Sequence, residues 1–419
     1  MRLNGVFKDD MVLQSDRRIN IFGSTKTSDT SAIICTIENS DGTKLCVSDD
    51  VSISDDGTFL ISMPALNAGG PYRLTVSSSE ENESVTLERI FIGEVWIAGG
   101  QSNMEYPLVR SEGSRKTITE LGRTNIHFYN VPAFGNMTKA QAEAEDASRW
   151  VVIDKDTCGD MSGVAFYFTG GILEALAHAD PDVHIGIVGC YLGGTSVSSW
   201  QSTKSLMKTP EGRKYIDEFN ESIKGITEED YLAKKKIFDE ECEAYNRRLV
   251  ELLNKAPYIS YIDADNILGP GAWPPPSGPL SDRRPGALFE AMVLRIAPLS
   301  VKGVIFYQGE TDAEGHEADY YVVFKSMIEE WRSVFRNSDL PFVFCELPTF
   351  NTSDPKSNEE INMRWAKLRE QQRKVEATVP GTYRVVLIDC GEIDNLHPED
   401  KKTPGLRLAQ AALKSVYQV

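Results

Sequence analysis

Histidine is scarce in this chain: five residues, at 127, 178, 184, 316 and 397, in a length of 419. No HExxH pattern occurs, and the histidines do not cluster with cysteine, so no metal site is expected. The seven cysteines are odd in number and scattered, with no CxxC pair, which argues against a disulfide framework. Cys190 and Cys345 sit in apolar runs and read as small buried hydrophobes. Positive charge is in deficit, 44 basic against 62 acidic residues, a net charge of −18. Such a surface repels phosphate backbones, and no basic patch offsets it, so nucleic acid is not an expected partner. Lys234–Lys236 lie in a helical stretch flanked by acids and read as a solvated face. No apolar run approaches the roughly 20 residues of a membrane helix, so no membrane partner is expected either. The opening MRLNGVFKDDMVLQ lacks the apolar core of an export signal. Either the chain stays in the cytoplasm, which is the expectation, or a signal has been removed.

What is present is ordinary globular material, 41% apolar and 25% charged. The length suggests two domains, or one large domain with a small companion. Residues 1–90 show short alternating runs (RINIFG, SAIICTIEN, TFLISMP, YRLTVSS) broken by SDGT, SDDGT and NAGGP. This texture predicts a small β-sandwich. From 91 to 419 apolar strand-like runs alternate with amphipathic helices. The strands are EVWIAGG, NIHFYNVP, HIGIVGCYL, KGVIFYQG, PFVFCEL and YRVVLIDCG. That alternation predicts an α/β domain with a parallel sheet covered on both faces. Residues 204–256 are polar and helical and read as an insertion.

Ligands of open parallel sheets bind beyond the carboxyl ends of strands. Four such ends are unusually polar here: Gly99-Gly100-Gln101-Ser102-Asn103, Gly193-Gly194-Thr195-Ser196, Gln308-Gly309-Glu310-Thr311-Asp312 and Asp394-Asn395-Leu396-His397. A turn across Asp394–His397 can bring the carboxylate to the imidazole Nδ1 and leave Nε2 free as a base. A serine at another strand end supplies a nucleophile for that base. Glycines beside it relieve the strain of a sharp turn, and their N–H groups can face an oxyanion. Each piece alone has a plain structural explanation: a serine before asparagine caps a helix, and GGTS is a turn. Four of them at four strand ends of one domain point to chemistry. His127, His178 and His184 lie within strand-like or helix-like runs and read as core or surface residues.

These blocks resemble the sialate O-acetylesterase group of carbohydrate esterases, within the wider SGNH (GDSL-like) hydrolase superfamily. The stretches concerned are VFKDDMVLQ, GEVWIAGGQSNMEYPL, IGIVGCYLGGTSVSSW, ALFEAMVLRIAPLSVKGVIFYQGETDA and DNLHPEDKKTPGLRLA. The 204–256 segment is the least matched. The resemblance implies a flavodoxin-like α/β three-layer sandwich carrying the small N-terminal β-sandwich. It implies Ser102 as nucleophile, His397 as base and Asp394 as its orienter, with Glu310 or Asp312 able to serve instead of Asp394 or beside it. It implies an oxyanion hole from the N–H of Ser102, the N–H of Gly193 (Gly194 being a near alternative) and the side-chain amide of Gln308. Gln308 stands where the superfamily usually has asparagine.

The expected reaction is removal of O-acetyl groups from a sugar or oligosaccharide through an acetyl-serine, with no cofactor. Trp200 could stack on a sugar ring or pack beneath its loop, and Trp273 and Tyr106 are further aromatic candidates. O-acetylated sialic acid comes first as substrate and acetylated hemicellulose fragments second. A sialate carboxylate would need a local cation, for which Arg283 and Arg284 are the candidates; the alternative is that both are solvated loop residues. Two rival readings remain: a non-catalytic carbohydrate-binding protein on the same fold, and a lipase or thioesterase with a long acyl groove.

Overall fold

The computed structural model describes residues 1–122, 124–177 and 180–419. The first ninety residues build two antiparallel layers. One contains, in order, Arg2–Leu3, Ile19–Ser24, Thr58–Met63 and Asp50–Ile53. The other pairs Lys44–Val47, Ile33–Glu38 and Gly69–Ser78 with the start of Glu83–Gly100. Alternation along these strands sets which side faces in. Phe59, Ile61 and Met63 of one layer and Cys35, Ile37, Leu74 and Val76 of the other are all buried in one apolar core.

No linker separates this unit from the larger α/β unit. Glu83–Gly100, here β1, is a single strand of 18 residues that crosses the boundary expected near residue 90. Its first half is mostly exposed or half-buried, with Leu87 and Ile90 turned inward; its second half, Ile92–Gly100, is buried on both faces. That change marks where the strand leaves a one-sided layer and becomes the centre of a covered sheet. The other parallel strands are β2 (Ile126–Asn130), β3 (Ile185–Tyr191), β4 (Gly303–Tyr307), β5 (Phe342–Cys345) and β6 (Thr382–Val385). Their order is β2-β3-β1-β4-β5-β6, with Val151–Val152 antiparallel at the β2 edge.

Helices cover both faces. Trp96 of β1 meets Phe168 of the helix Gly163–Leu176, which packs on Lys402–Ala412. On the opposite face Phe306 of β4 stacks at 5.4 Å on Phe324 of the helix Tyr320–Val334, itself packed on Pro355–Thr378. The fold is a three-layer α/β sandwich, as the alternating texture predicts. The helical insertion comprises Thr203–Leu206, Pro210–Ser222, Glu228–Lys255 and Tyr261–Leu268, twelve residues beyond its expected end at 256. A capping box of Thr227 and Asp230 starts its longest helix. Among the described residues no helix is long and apolar enough to cross a membrane.

The chain departs to one side of β1 after that strand and to the other side after β3. The carboxyl end of β1 is therefore the switch point of the sheet, where loops diverge and leave a crevice. Gly100 makes the exit possible. Its φ is +133°, and a Cβ there would lie 2.0 Å from the Tyr307 carbonyl oxygen of neighbouring β4. A side chain would force the two central strands apart. Gly100→Ala is expected to cost about 3 kcal/mol or more, from strain plus overpacking, read as a lowered urea midpoint at unchanged m-value.

Candidate active site

Ser102 opens the short helix Ser102–Glu105 directly beyond β1. His397 lies in the loop after β6. Residues 295 apart in sequence meet here, with His397 Nε2 2.8 Å from Ser102 Oγ. The histidine loop holds its own shape. Glu392 accepts the Glu399 N–H at 2.7 Å and the Asn395 amide at 2.7 Å, and Asn395 Oδ1 accepts the His397 N–H at 2.9 Å. One carboxylate thus staples both ends of the turn that carries the imidazole.

The contact expected between Asp394 and His397 is not formed. Asp394 is exposed, adopts a left-handed φ of +56°, and its carboxylate accepts the Ser353 N–H at 2.7 Å. The i,i+3 spacing permits the approach, but the backbone turns this side chain outward. Glu310 and Asp312 do not reach the imidazole either. Among the described residues no acid hydrogen-bonds Nδ1 of His397. Burial, helped by the charge of Lys401, pushes the His397 pKa down to about 4.

Glu310 has a different place. It is buried and accepts the Asn103 amide at 2.5 Å. The same amide donates to the Leu396 carbonyl at 3.1 Å, and Asn103 Oδ1 accepts from Lys401 Nζ at 2.7 Å. Lys401 is only 1% exposed, its ammonium 4.4 Å from the centre of the Tyr106 ring. Burial raises the pKa of Glu310 and lowers that of Lys401 to about 7. Asn103 joins the nucleophile loop, the β4 loop and the histidine loop in one buried knot.

The expected oxyanion donors are partly committed. The Gly193 N–H lies beside Ser102 but donates to Glu105 Oε2 at 2.7 Å. Gln308 is 1% exposed, and its Nε2 donates to Asp312 Oδ2 at 2.5 Å and the Thr195 carbonyl at 3.0 Å. Its longer side chain turns into the floor of the site rather than toward the serine. Asp312 collects donors from three directions: Gln308, the Val197 N–H at 3.0 Å and the Tyr215 hydroxyl at 2.6 Å. Tyr215 comes from the insertion, so this segment is tied to the β4 loop beneath the site.

Trp200 is wholly buried under the glycine loop, Nε1 donating to Thr195 Oγ1 at 3.0 Å, and offers no face to a sugar. Arg284 donates to the carbonyls of Gly135 and Ser281. Arg283 Nε donates to the Gly193 carbonyl at 2.9 Å, and its guanidinium lies 5.3 Å from the Trp273 ring centre. Trp273 is 65% exposed and its ring lies against Gly194. Tyr106 is buried; its T-shaped neighbour at 5.0 Å, Tyr261, is 39% exposed. A cleft of about 300 Å³ is lined by Ser102, Glu105, Tyr106, Tyr261, Asp265 and His397. Its outer wall, Tyr261 and Asp265, is the last helix of the insertion. His127 and His184 hydrogen-bond one another at 2.8 Å near Asp10, away from this cleft. His178 lies outside the described residues. Among the described residues no group of three or more histidine, cysteine or acidic side chains could hold a metal ion.

Asn103, Lys401, Glu105 and Tyr261 were not singled out by sequence for the parts they play. Asn103 and Glu105 flank the serine closely enough to have drawn attention. Lys401 reads as one of several charged residues in PEDKKT, and nothing local marks it as buried.

The site brings a serine hydroxyl and an imidazole into hydrogen-bond contact at the switch point of a parallel sheet, beside a glycine N–H. Residues 277–414 match the family model described as carbohydrate esterase, sialic acid-specific acetylesterase. Over 388 residues the chain is 22% identical to the sialate O-acetylesterase of Rattus norvegicus, covering 86% of this chain and 64% of that protein. Over 383 residues it is 21% identical to the sialate O-acetylesterase of Homo sapiens, covering 86% and 61%. The chain thus spans less than two thirds of the length of these curated relatives. A carbohydrate acetylesterase from Xanthomonas citri has the same fold, with a TM-score of 0.68 at 24% identity over 100% of this chain and 76% of that one. The chain is similar to sialate O-acetylesterases in sequence and to a carbohydrate acetylesterase in fold.

The depressed His397 pKa gives a test of whether this histidine acts as a general base. Such a base must be neutral, so the activity of an esterase that uses it would hold above the pKa and fall below it. The acid limb of kcat/KM is expected to inflect near pH 4, not near the 6.5 of an unperturbed histidine. A pH–rate profile on 4-nitrophenyl acetate reads this directly.

Proposed function

We propose that this protein is a serine esterase that removes O-acetyl groups from sugars. The observation that carries the reading is the 2.8 Å contact between Ser102 Oγ and His397 Nε2 beside Gly193. His397 takes the serine proton as Oγ attacks the acetyl carbonyl. The N–H of Ser102, at the first position of its helix and so without an intrahelical partner, and the N–H of Gly193 meet the oxyanion. The sugar oxygen leaves with the proton from His397 Nε2. Water then attacks the acetyl-serine, its proton passing to His397 and on to Ser102, and acetate departs. No cofactor enters these steps. Gln308 acts by holding the Thr195 loop, and the Glu392–Asn395 staple takes the positioning part expected of Asp394.

Similarity to sialate O-acetylesterases puts an O-acetylated sialic acid first among substrates. The lining of the cleft favours a second reading. Its acidic members are Glu105 and Asp265, and neither Arg283 nor Arg284 lines it. A neutral acetylated hemicellulose fragment suits that wall better than a sugar carboxylate. The non-catalytic carbohydrate-binding reading leaves the Ser102–His397 contact without a purpose.

Acetate release should therefore be measured on an O-acetylated sialic acid and an acetylated xylo-oligosaccharide. The wild type is expected to deacetylate at least one, and folded Ser102→Ala neither, with a loss of about 10⁴ or more in kcat. Near-normal turnover by Ser102→Ala would overturn the proposal. Tyr261 is the open aromatic face of the cleft. Tyr261→Ala is expected to raise KM for the sugar about tenfold with little change in kcat, since stacking acts on ground and transition states alike.

A further inference from the structure

Glu105 occupies the donor that the proposed reaction needs. Its Oε2 accepts the Gly193 N–H at 2.7 Å, and a Cβ on Gly193 would lie 3.2 Å from that oxygen and 3.3 Å from Ser102 Cβ. The carboxylate therefore sits between the glycine loop and the nucleophile, on the wall of the cleft that Ser102 and His397 line. Helical geometry puts it there: Glu105 is three residues after Ser102 in the same short helix, so both side chains share a face. A carboxylate and a developing oxyanion cannot share one N–H, because both are acceptors and both are negative. An oxyanion donor is worth about 10²–10³ in rate, and a donor held by a resident anion is unavailable until that anion moves.

The surroundings set how it is held. Burial disfavours the charged form of Glu105; the Gly193 N–H and, to a lesser extent, the Arg283 guanidinium offset this only in part. Arg283 Nε donates to the Gly193 carbonyl, and its guanidinium lies over the Trp273 ring. Glu105 lines the same cleft as Tyr261 and Asp265; in the proposed reaction the alcohol part of an ester lies there. A sugar ester brings hydroxyl groups next to the ester oxygen; a simple aryl acetate brings none.

We propose that Glu105 is a gate that holds the Gly193 N–H in the resting protein and releases it when a substrate hydroxyl hydrogen-bonds to its carboxylate, so that polyol recognition assembles the oxyanion site. This rests on the esterase reading of the Ser102–His397 pair. It makes Glu105 the residue that separates sugar acetates from simple acetates. No bond is made or broken at Glu105; its carboxylate exchanges one donor, the backbone N–H, for another, the sugar O–H.

The test compares kcat/KM on 4-nitrophenyl acetate and on 6-O-acetylglucose for the wild type, Glu105→Ala and Glu105→Gln. Glu105→Ala frees the Gly193 N–H without need of a hydroxyl. Its kcat/KM on 4-nitrophenyl acetate is expected to rise about tenfold while that on 6-O-acetylglucose falls, so the ratio of sugar to aryl ester drops by more than tenfold. Glu105→Gln keeps shape and a weaker acceptor, and should fall between the two, which keeps the test decisive if the alanine variant folds poorly. Equal losses on both substrates would show that Glu105 merely props the loop and would overturn the gate, as would an unchanged ratio. If instead the wild type and Ser102→Ala are equally inactive on both esters, the esterase reading itself fails, and the gate falls with it.

Discussion

A carboxylate and an ammonium taken out of water must be compensated, and here one amide does most of it. Asn103 donates to Glu310 and accepts from Lys401, both buried. Removing one partner of such an arrangement leaves an uncompensated charge, which in proteins costs about 3–5 kcal/mol. That cost welds three loops together. The nucleophile loop carries Asn103, the β4 loop carries Glu310, and the histidine loop contributes Lys401 and the Leu396 carbonyl. Ser102 is next to Asn103 and His397 is next to Leu396. The 2.8 Å contact of Ser102 and His397 is thus set by a knot one residue away on each side.

A second buried acid holds the other half of the site. Asp312 gathers Gln308, Val197 and Tyr215, and Gln308 in turn holds the Thr195 carbonyl. The glycine loop that presents Gly193 is thereby fixed from below, and the helical insertion is anchored to the same point. Asp312 binds three donors and Glu310 the Asn103 amide, and neither acid reaches the imidazole. The polar richness of the four strand ends is mostly this internal scaffolding. Ser102, Glu105 and His397, by contrast, line the cleft.

The insertion joins scaffold to specificity. Tyr215 stacks on His316 at 3.8 Å and reaches Asp312, while Tyr261 and Asp265 wall the cleft above Ser102. The insertion thus contributes both to the buried support of the site and to the wall of the cleft.

The sequence by itself determined the layers. Period-two alternation before residue 90 and unbroken apolar strands after it could be satisfied only by a one-sided sandwich and a two-sided sheet, because each pattern must hide its apolar face. It also determined which strand ends are polar, and so which loops matter. It did not determine that one strand, Glu83–Gly100, serves both units, since a pattern read in short windows shows no continuity across a change of period. Nor did it decide which acid does what. Asp394, Glu310, Asp312 and Glu105 are alike as letters near polar loops. Their parts follow from the backbone turn at Asp394, from the depth of Glu310 and Asp312, and from the helical offset that carries Glu105 onto Gly193. Burial and direction are properties of three dimensions: a carboxylate's partner is whichever donor the packed chain leaves within reach, and spacing along the sequence fixes that only when the backbone between them is regular.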